Sequence, residues 1–205
     1  MDTLLQILSV AFALFLLMDP LGNVPIFVAV LKDVDPKRQR VIIFRELIIA
    51  LAIIICFNFL GNFLLDLLKV QQSTLLVSGG IILFIIAIRM IFPSHKDPEL
   101  DLSREKEPFI VPLAVPMVAG PAVLAAVMLY SYQDHSEWIT VAAIVIAWAI
   151  STLILLASPT LKKLLGDKGL IASERLMGLI LVLISVQMFL EGVRLFILQS
   201  QTIHA

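Results

Sequence analysis

The sequence predicts an all-α membrane protein whose six transmembrane helices form two inverted three-helix repeats, with helices 1 and 4 broken. Of the 205 residues, 60% are hydrophobic and only 15% are charged, and the apolar residues fall in long runs. A helix needs about 20 mainly apolar residues to cross a bilayer. Basic residues gather in alternate loops, and a pair of prolines recurs in the two halves of the chain. Composition, loop charge and repetition therefore indicate the same class of protein.

Six apolar runs of spanning length follow one another along the chain. They cover about 4–31, 42–65, 74–92, 109–131, 138–158 and 174–197. Short polar turns separate them, and 95–107 is the one sizeable loop that we expect. We interpret residues 1–205 as a single integral membrane domain, with repeat one over 1–94 and repeat two over 107–197.

The first predicted span contains residues that are unusual at membrane depth, in the stretch FLLMDPLGNVPIF (15–27). Asp19 is an acid well inside an apolar run, and such a residue is costly enough to indicate a functional site. Pro20 and Pro25 each lack an amide hydrogen, and Gly22 adds backbone freedom between them. The stretch is therefore a candidate binding site for a substrate or an ion.

We expect the first helix to break within 19–23 rather than to run straight. The pattern favours a second helix that restarts with Asn23 as its N-cap and Pro25 in its first turn. Irregular backbone at this depth is tolerated where protein or a water-filled cavity satisfies its polar groups. The simpler alternative is a proline-kinked helix whose Asp19 is hydrogen-bonded to a neighbour.

The second and third spans carry fewer polar residues. In the second, Arg45 and Glu46 are predicted to anchor the helix at the membrane interface, and Asn58 and Asn62 to hold helices together. In the third, Ser78 and Gly79 belong to a small-residue patch. We expect this patch to pack closely against a broken helix, with a supporting role at the site as the alternative.

The fourth span repeats the proline signal in PLAVPMVAGP (112–121). Ala119, Gly120 and Pro121 resemble a helix cap followed by a proline in the first turn. A helix that starts inside the bundle leaves unpaired N–H groups and a partial positive charge, both of which attract a carboxylate. The alternative is that the prolines only kink the span.

The last two spans carry interface residues and one candidate polar group. Trp138 is predicted to lie at the outer membrane interface, and Glu174 to anchor the last helix at the inner one. Glu191 and Arg194 are expected to pair. Gln187 occupies the repeat position of the interfacial Arg89, so it is a candidate supporting residue of the site.

The distribution of lysine and arginine predicts the orientation. Thirteen of the 15 basic residues fall in or beside the first, third and fifth loops. Only Lys69 and Arg194 lie on the other side. Positively charged loops stay in the cytoplasm. Both termini are therefore predicted to be periplasmic.

Two alignments within the chain indicate the repeat. Residues 80–92 align without gaps on 178–190 at an offset of 98. Pro20 and Pro25 recur as Pro116 and Pro121 at an offset of 96. Because each half would contain three spans, the second half must be inverted across the membrane. Inverted repeats with matching broken helices are typical of secondary transporters.

These motifs resemble the MarC family of bacterial inner-membrane proteins. The resemblance covers nearly the whole chain, including 107–121 and 174–189, and it is carried by DPLGNVP in the first span and AGP in the fourth. It implies a secondary transporter of the inner membrane, with small neutral amino acids as the substrate class. The residues that match the family pattern are Asp19, Pro20, Gly22, Asn23, Pro25, Ala119, Gly120 and Pro121.

The sequence therefore predicts a carrier that works by alternating access and binds a small zwitterion between spans one and four. Na⁺ or H⁺ is the candidate coupling ion, and no other cofactor, metal centre or nucleic-acid partner is expected. The lipid bilayer and a small-molecule substrate are the expected partners, and a homo-oligomer stays open. The alternatives are a non-transporting scaffold and, less favoured, a membrane enzyme, for which the single Cys56 and the three histidines give no catalytic set.

Overall fold

The computed structural model describes residues 2–32, 34–92, 118–133 and 137–203. These residues form helices and their connections, with no strand among them. The helices are α1 (Asp2–Met18), α2 (Pro20–Val30), α3 (Pro36–Leu68), α4 (Gln72–Ile91), α5 (Pro121–Gln133), α6 (Glu137–Leu156) and α7 (Ser158–Ile203). The predicted all-α class is confirmed.

Five stretches of the described chain are long and apolar enough to cross a membrane. They are Thr3–Val30, Pro36–Gly61, Gln72–Ile91, Trp138–Leu156 and Ser158–Gln201. The apolar part of α5 is shorter and covers Pro121–Ser131. The first part of the predicted fourth span lies outside the described residues. The predicted loop 95–107 and the prolines at 112 and 116 also lie outside them. The count of six spans therefore stays a prediction.

The sequence predicts that residues 162–168 join the last two spans as a loop, and the structure differs in the form of this connection. α7 contains 46 residues, and its backbone leaves helical geometry at Gly166, where φ is 65° and ψ is 178°. The lysines and leucines around this glycine favour helix, so the chain stays helical on both sides. Glycine adopts a positive φ without steric cost, which confines the bend to one residue. The connection predicted at 162–168 is therefore present as a bend at Gly166 and not as a loop.

Helix α4 packs in the antiparallel direction against the second half of α7, from Gly178 opposite Ile91 to Gln199 opposite Ser73. A Cβ at Gly80 would lie 2.9 Å from the backbone nitrogen of Phe189, and one at Gly178 would lie 3.1 Å from the carbonyl oxygen of Ala87. Such small residues allow helix backbones to approach closely in a membrane. This contact is the most extensive one between two of the described helices.

The remaining contacts place each short helix against the opposite part of the chain. α2 packs on α6 and α7, whereas α5 packs on α3 and α4. α3 and α6 are also antiparallel neighbours, because the Trp148 indole donates a 2.7 Å hydrogen bond to the Leu47 carbonyl and the Phe59 ring contacts Trp138. The first and last parts of the described chain are therefore interleaved.

Candidate functional site

The break in the first spanning stretch lies at Asp19. This residue adopts the left-handed conformation, with φ 44° and ψ 57°, and separates α1 from α2. Asp tolerates this region better than most residues. Its carboxylate oxygen Oδ1 accepts a 3.1 Å hydrogen bond from the Gly22 amide, so Asp19 is the N-cap of α2. Only 7% of Asp19 is exposed, and this acid is therefore buried at membrane depth.

The predicted restart of the helix at Asn23 is wrong. Pro20 is already the first residue of α2, and Pro25 lies inside the helix. The fixed φ of a proline suits the first helical position, so α2 restarts directly after the Asp19 cap. The side-chain nitrogen Nδ2 of Asn23 instead donates a 3.0 Å hydrogen bond to the Met18 carbonyl. This carbonyl is at the end of α1, where it has no partner within the helix. Asn23 thus ties the end of α1 to the start of α2.

Three other helices meet the break. A Cβ at Gly22 would collide with the Asp19 carboxylate and with the terminal methyl of Met90 in α4. The sulfur of Met18 lies 3.7 Å from the Ser151 hydroxyl in α6. From α7, the Glu174 carboxylate is near enough to repel Asp19 electrostatically. The acid therefore sits where α2, α4, α6 and α7 converge.

The second helix start has a simpler construction. Ala119 and Gly120 are buried and lie outside helical structure, and α5 begins at Pro121 as predicted. The Gly120 carbonyl accepts the first helical hydrogen bond, from Leu124, at 3.0 Å. Among the described residues, the backbone amides of Ala122 and Val123 have no acceptor. The first N–H groups of a helix have no partner within the helix itself.

The two predicted supporting residues of α4 are placed differently. A Cβ at Gly79 would lie 3.2 Å from the Ala125 side chain and 3.6 Å from Ala122, so Gly79 contacts the first turns of α5. Ser78 is exposed, and its hydroxyl donates to the Leu75 carbonyl of its own helix at 3.0 Å. Gly79 is therefore next to the α5 start, and Ser78 is turned away from it.

A cleft of about 710 Å³ lies between α1, α4, α5 and α7. The predicted supporting residue Gln187 lines it, and the other polar lining residues are Ser9, Tyr130 and Glu191. None of the predicted binding residues lines the cleft, whereas their neighbours Leu17 and Ala126 do. Leu17 is two residues from Asp19 and Ala126 is five residues from Pro121, which are about 3 Å and about 7.5 Å along a helix axis.

The predicted residues form two groups rather than one. Asp19, Pro20, Gly22, Asn23 and Pro25 belong to the start of α2, and Ala119, Gly120 and Pro121 to the start of α5. Within the described ranges, no hydrogen bond joins one group to the other. Leu17 next to the first group and Ala126 next to the second both line the cleft.

Sequence reasoning missed the depth of two acids. Glu46 is fully buried and pairs with the Arg45 guanidinium at 2.9 Å, although the sequence predicts an interface anchor. Glu174 was predicted to be an anchor as well, but it is directed to within electrostatic reach of Asp19. Its position four residues before Gly178 is the available signal, because Gly178 faces α4. Glu46 is therefore a buried partner of Arg45, whereas Glu174 is half-buried and adds negative charge near Asp19.

Among the described residues, neither polar atom of the buried Asn58 side chain has a hydrogen-bond partner. The backbone carbonyl of Asn58 joins α3 to α5, because it accepts a 3.0 Å hydrogen bond from the Ser131 hydroxyl. That the side chains of Asn58 and Asn62 hold helices together stays a prediction. The side chain of Asn62 lies outside the described part. Among the described residues, no group of three His, Cys, Asp or Glu side chains could hold a metal ion.

Comparison with known proteins identifies the family. Residues 4–197 match the family described as "MarC family integral membrane protein". The inner membrane protein YhgN of Escherichia coli (strain K12) is 51% identical over 192 residues, which cover 93% of this chain and 98% of the relative. A membrane protein of Buchnera aphidicola from Acyrthosiphon pisum is 49% identical over 190 residues, covering 92% and 96%. One from Chlamydia pneumoniae is 35% identical over 191 residues, covering 93% and 95%.

No solved structure matches this chain. The family match covers nearly the whole sequence, and it agrees with the apolar helices of the fold. The chain therefore belongs to the MarC family of integral membrane proteins.

Proposed function

We propose that this protein is a secondary transporter of the inner membrane that moves small neutral amino acids by alternating access. The observation that carries the proposal is the buried Asp19 at a helix break, two residues from Leu17, which lines an open cleft. Burying an ionisable group at this depth is energetically costly, and such a group therefore indicates a functional site. The printed name of the Escherichia coli relative, an inner membrane protein, supports the location.

The two helix starts offer complementary chemistry for a zwitterion. The amides of Ala122 and Val123 would bind the substrate carboxylate, aided by the partial positive charge of the α5 N-terminus. Asp19 uses Oδ1 for its cap, and no described residue donates a hydrogen bond to its Oδ2. Oδ2, with Glu174 behind it, would therefore meet the substrate ammonium group or a coupling Na⁺ or H⁺. A carrier of this kind forms no covalent intermediate and needs no other cofactor.

The contacts of α4 and α7 support the inverted repeat on which alternating access depends. At the repeat offset of 98, Gly80 corresponds to Gly178 and Ile91 to Phe189. A Cβ at Gly80 would lie 2.9 Å from Phe189, and one at Gly178 would lie 2.9 Å from Ile91. The two contacts therefore exchange under the proposed two-fold axis. The packing of α2 on α6 and α7, and of α5 on α3 and α4, has the same exchanged form.

The positions of the cleft and of Met90 suggest which side is open. The cleft lies toward the end of the bundle that the basic residues predict to be periplasmic, together with both termini. On the opposite side of Asp19, Met90 fills the space between Gly22 and Gly178. We infer a state open to the periplasm, with Met90 closing the cytoplasmic path.

The test combines thermal stability with transport. Purified protein would be screened for ligand-dependent stabilisation across amino acids, sugars and ions, and the stabilising compounds would be assayed for uptake into proteoliposomes. We expect a small neutral amino acid to give both signals. Uptake indistinguishable from protein-free vesicles for every stabilising compound would refute the transporter and favour a scaffold.

A further inference from the structure

A second groove lies at the basic end of the bundle, away from both helix starts. It has a volume of about 750 Å³ and runs between the beginning of α3 and the junction of α6 with α7. It is lined by Arg40, Val41, Phe44, Arg45, Leu153, Leu156, Ala157 and Thr160. None of these residues lines the cleft between α1, α4, α5 and α7.

One wall of the groove is apolar and faces outward. Val41 is 66% exposed and Leu153 is 69% exposed, and both belong to helices that cross the membrane. Between them Phe44 is held against Trp148, with the ring centroids 6.4 Å apart. In a bilayer, such a wall is covered by hydrocarbon, so an acyl chain is the chemistry that fits it.

The other end of the groove favours an anion. Arg40 is exposed there, and Thr160 presents a hydroxyl from the first turn of α7, where a helix N-terminus adds partial positive charge. Arg45 is balanced by the buried Glu46. The adjoining groove adds Lys37 and Arg38 against the single acid Asp35, so the surroundings are basic overall.

We propose that this groove is a binding site for an anionic phospholipid, with its phosphate at Arg40 and Thr160 and one acyl chain along Val41, Phe44 and Leu153. Basic pockets between transmembrane helices recognise acidic lipid headgroups in this way. Free phosphate shares the headgroup chemistry, but it would leave the apolar wall uncovered. The site commits to a lipid for that reason, and it does not depend on the proposed transport.

The experiment uses the full-length protein, purified in detergent and stripped of lipid. Thermal unfolding and native mass spectrometry would be recorded with phosphatidylglycerol, phosphatidylcholine or inorganic phosphate. We expect phosphatidylglycerol to stabilise the protein and to remain bound in the gas phase. Arg40→Gln should weaken its apparent affinity about fivefold, the usual contribution of one basic residue at a membrane surface.

Two further variants make the result specific. Lys69→Gln removes an equally exposed charge from the other end of α3, and it should bind phosphatidylglycerol like the parent. Leu153→Gln should lower the affinity for phosphatidylglycerol without changing the thermal stabilisation by inorganic phosphate. Equal effects of Arg40→Gln and Lys69→Gln, equal stabilisation by phosphatidylcholine, or phosphate acting as strongly as the lipid would each overturn the proposal.

Discussion

The N-terminal ends of α2 and α5 differ in which groups supply hydrogen bonds to their backbone. At α2, the Asp19 carboxylate caps the Gly22 amide and Asn23 binds the last carbonyl of α1, so the chain supplies its own partners. At α5, Ala119 and Gly120 have no side chain that could cap, and two amides are left without a described acceptor. One start therefore carries a charge and is closed, while the other is neutral and open.

The difference teaches that a shared proline pattern does not give a shared local structure. At the offset of 96 that relates the two proline pairs, Pro121 corresponds to Pro25. α5 begins at Pro121, but α2 has already begun five residues before Pro25, because Asp19 can cap a helix at once. In the proposed mechanism this asymmetry divides the work: the closed start meets the cation and the open start meets the carboxylate.

The largest effect is expected from Asp19→Asn. Asn tolerates the left-handed conformation and retains the cap, so the protein should fold while the charge is lost. Losing one partner of a buried charge pair costs about 2 kcal/mol or more, so the apparent affinity for the stabilising amino acid should fall at least about thirtyfold. Thermal shift titration measures this.

The matched control is Asp35→Asn. Asp35 also caps a helix, through a 2.9 Å hydrogen bond from the Lys37 amide, but it lies at the exposed start of α3. This variant should respond to ligand like the parent. An Asp19→Asn protein that transports at the parental rate would reduce Asp19 to a structural cap.

The next effect tests whether the open start must stay open. Among the described glycines only Gly166 has a positive φ, so Gly120 can accept a side chain on backbone grounds. In Gly120→Ser, the hydroxyl would cap an amide that the substrate carboxylate is proposed to use. A lost hydrogen bond to a charged group predicts about tenfold weaker binding.

Gly120→Ala separates the size of a side chain from its capping. It adds the Cβ without an acceptor, so it should bind more tightly than Gly120→Ser, as measured by the same titration. If both variants bind the amino acid as tightly as the parent protein does, the α5 amides are not the site that binds the substrate carboxylate.

A smaller effect is expected from Glu174→Gln. This acid repels Asp19 from α7, and in the proposed site its charge helps to attract a cation. Removing a partly exposed charge should raise the cation concentration for half-maximal uptake by no more than about fivefold. Asp167→Asn, an exposed acid on the same helix, is the control and should leave that concentration unchanged.

The smallest effect on binding is expected from Asn23→Ala. This change removes the hydrogen bond to the Met18 carbonyl and should lower the free energy of unfolding by about 1 kcal/mol. Because the Asp19 cap is retained, ligand affinity should change by no more than about twofold. Denaturant-induced unfolding and ligand titration measure the two quantities. A larger loss of affinity than of stability would place Asn23 in direct contact with the ligand.

The break itself could be predicted because an acid and prolines inside an apolar run have few other solutions. Its detail could not be predicted from spacing, because both Asp19 and Asn23 are good N-cap residues and both precede a proline. Only the backbone shows that Asp19 takes the left-handed conformation and so starts the helix first.

The depth of charged residues was also beyond the sequence. Glu46 and Glu174 each stand beside an arginine near the end of an apolar run, a position typical of interface anchors. Whether such a residue faces lipid or protein depends on the rotation of its helix, which is set by packing. The bend at Gly166 could not be distinguished from a loop, because charged residues are common in both.

The interleaved packing also has a consequence for biosynthesis. Helix α2 leaves the ribosome before α6 and α7, on which it packs in the finished protein. Until those helices are inserted, the acid at the end of α1 lacks its neighbours Ser151 and Glu174. A nascent chain therefore holds a costly polar group in the bilayer until synthesis is almost complete. Chains that stall before α7 should be recognisable to membrane proteases for that reason.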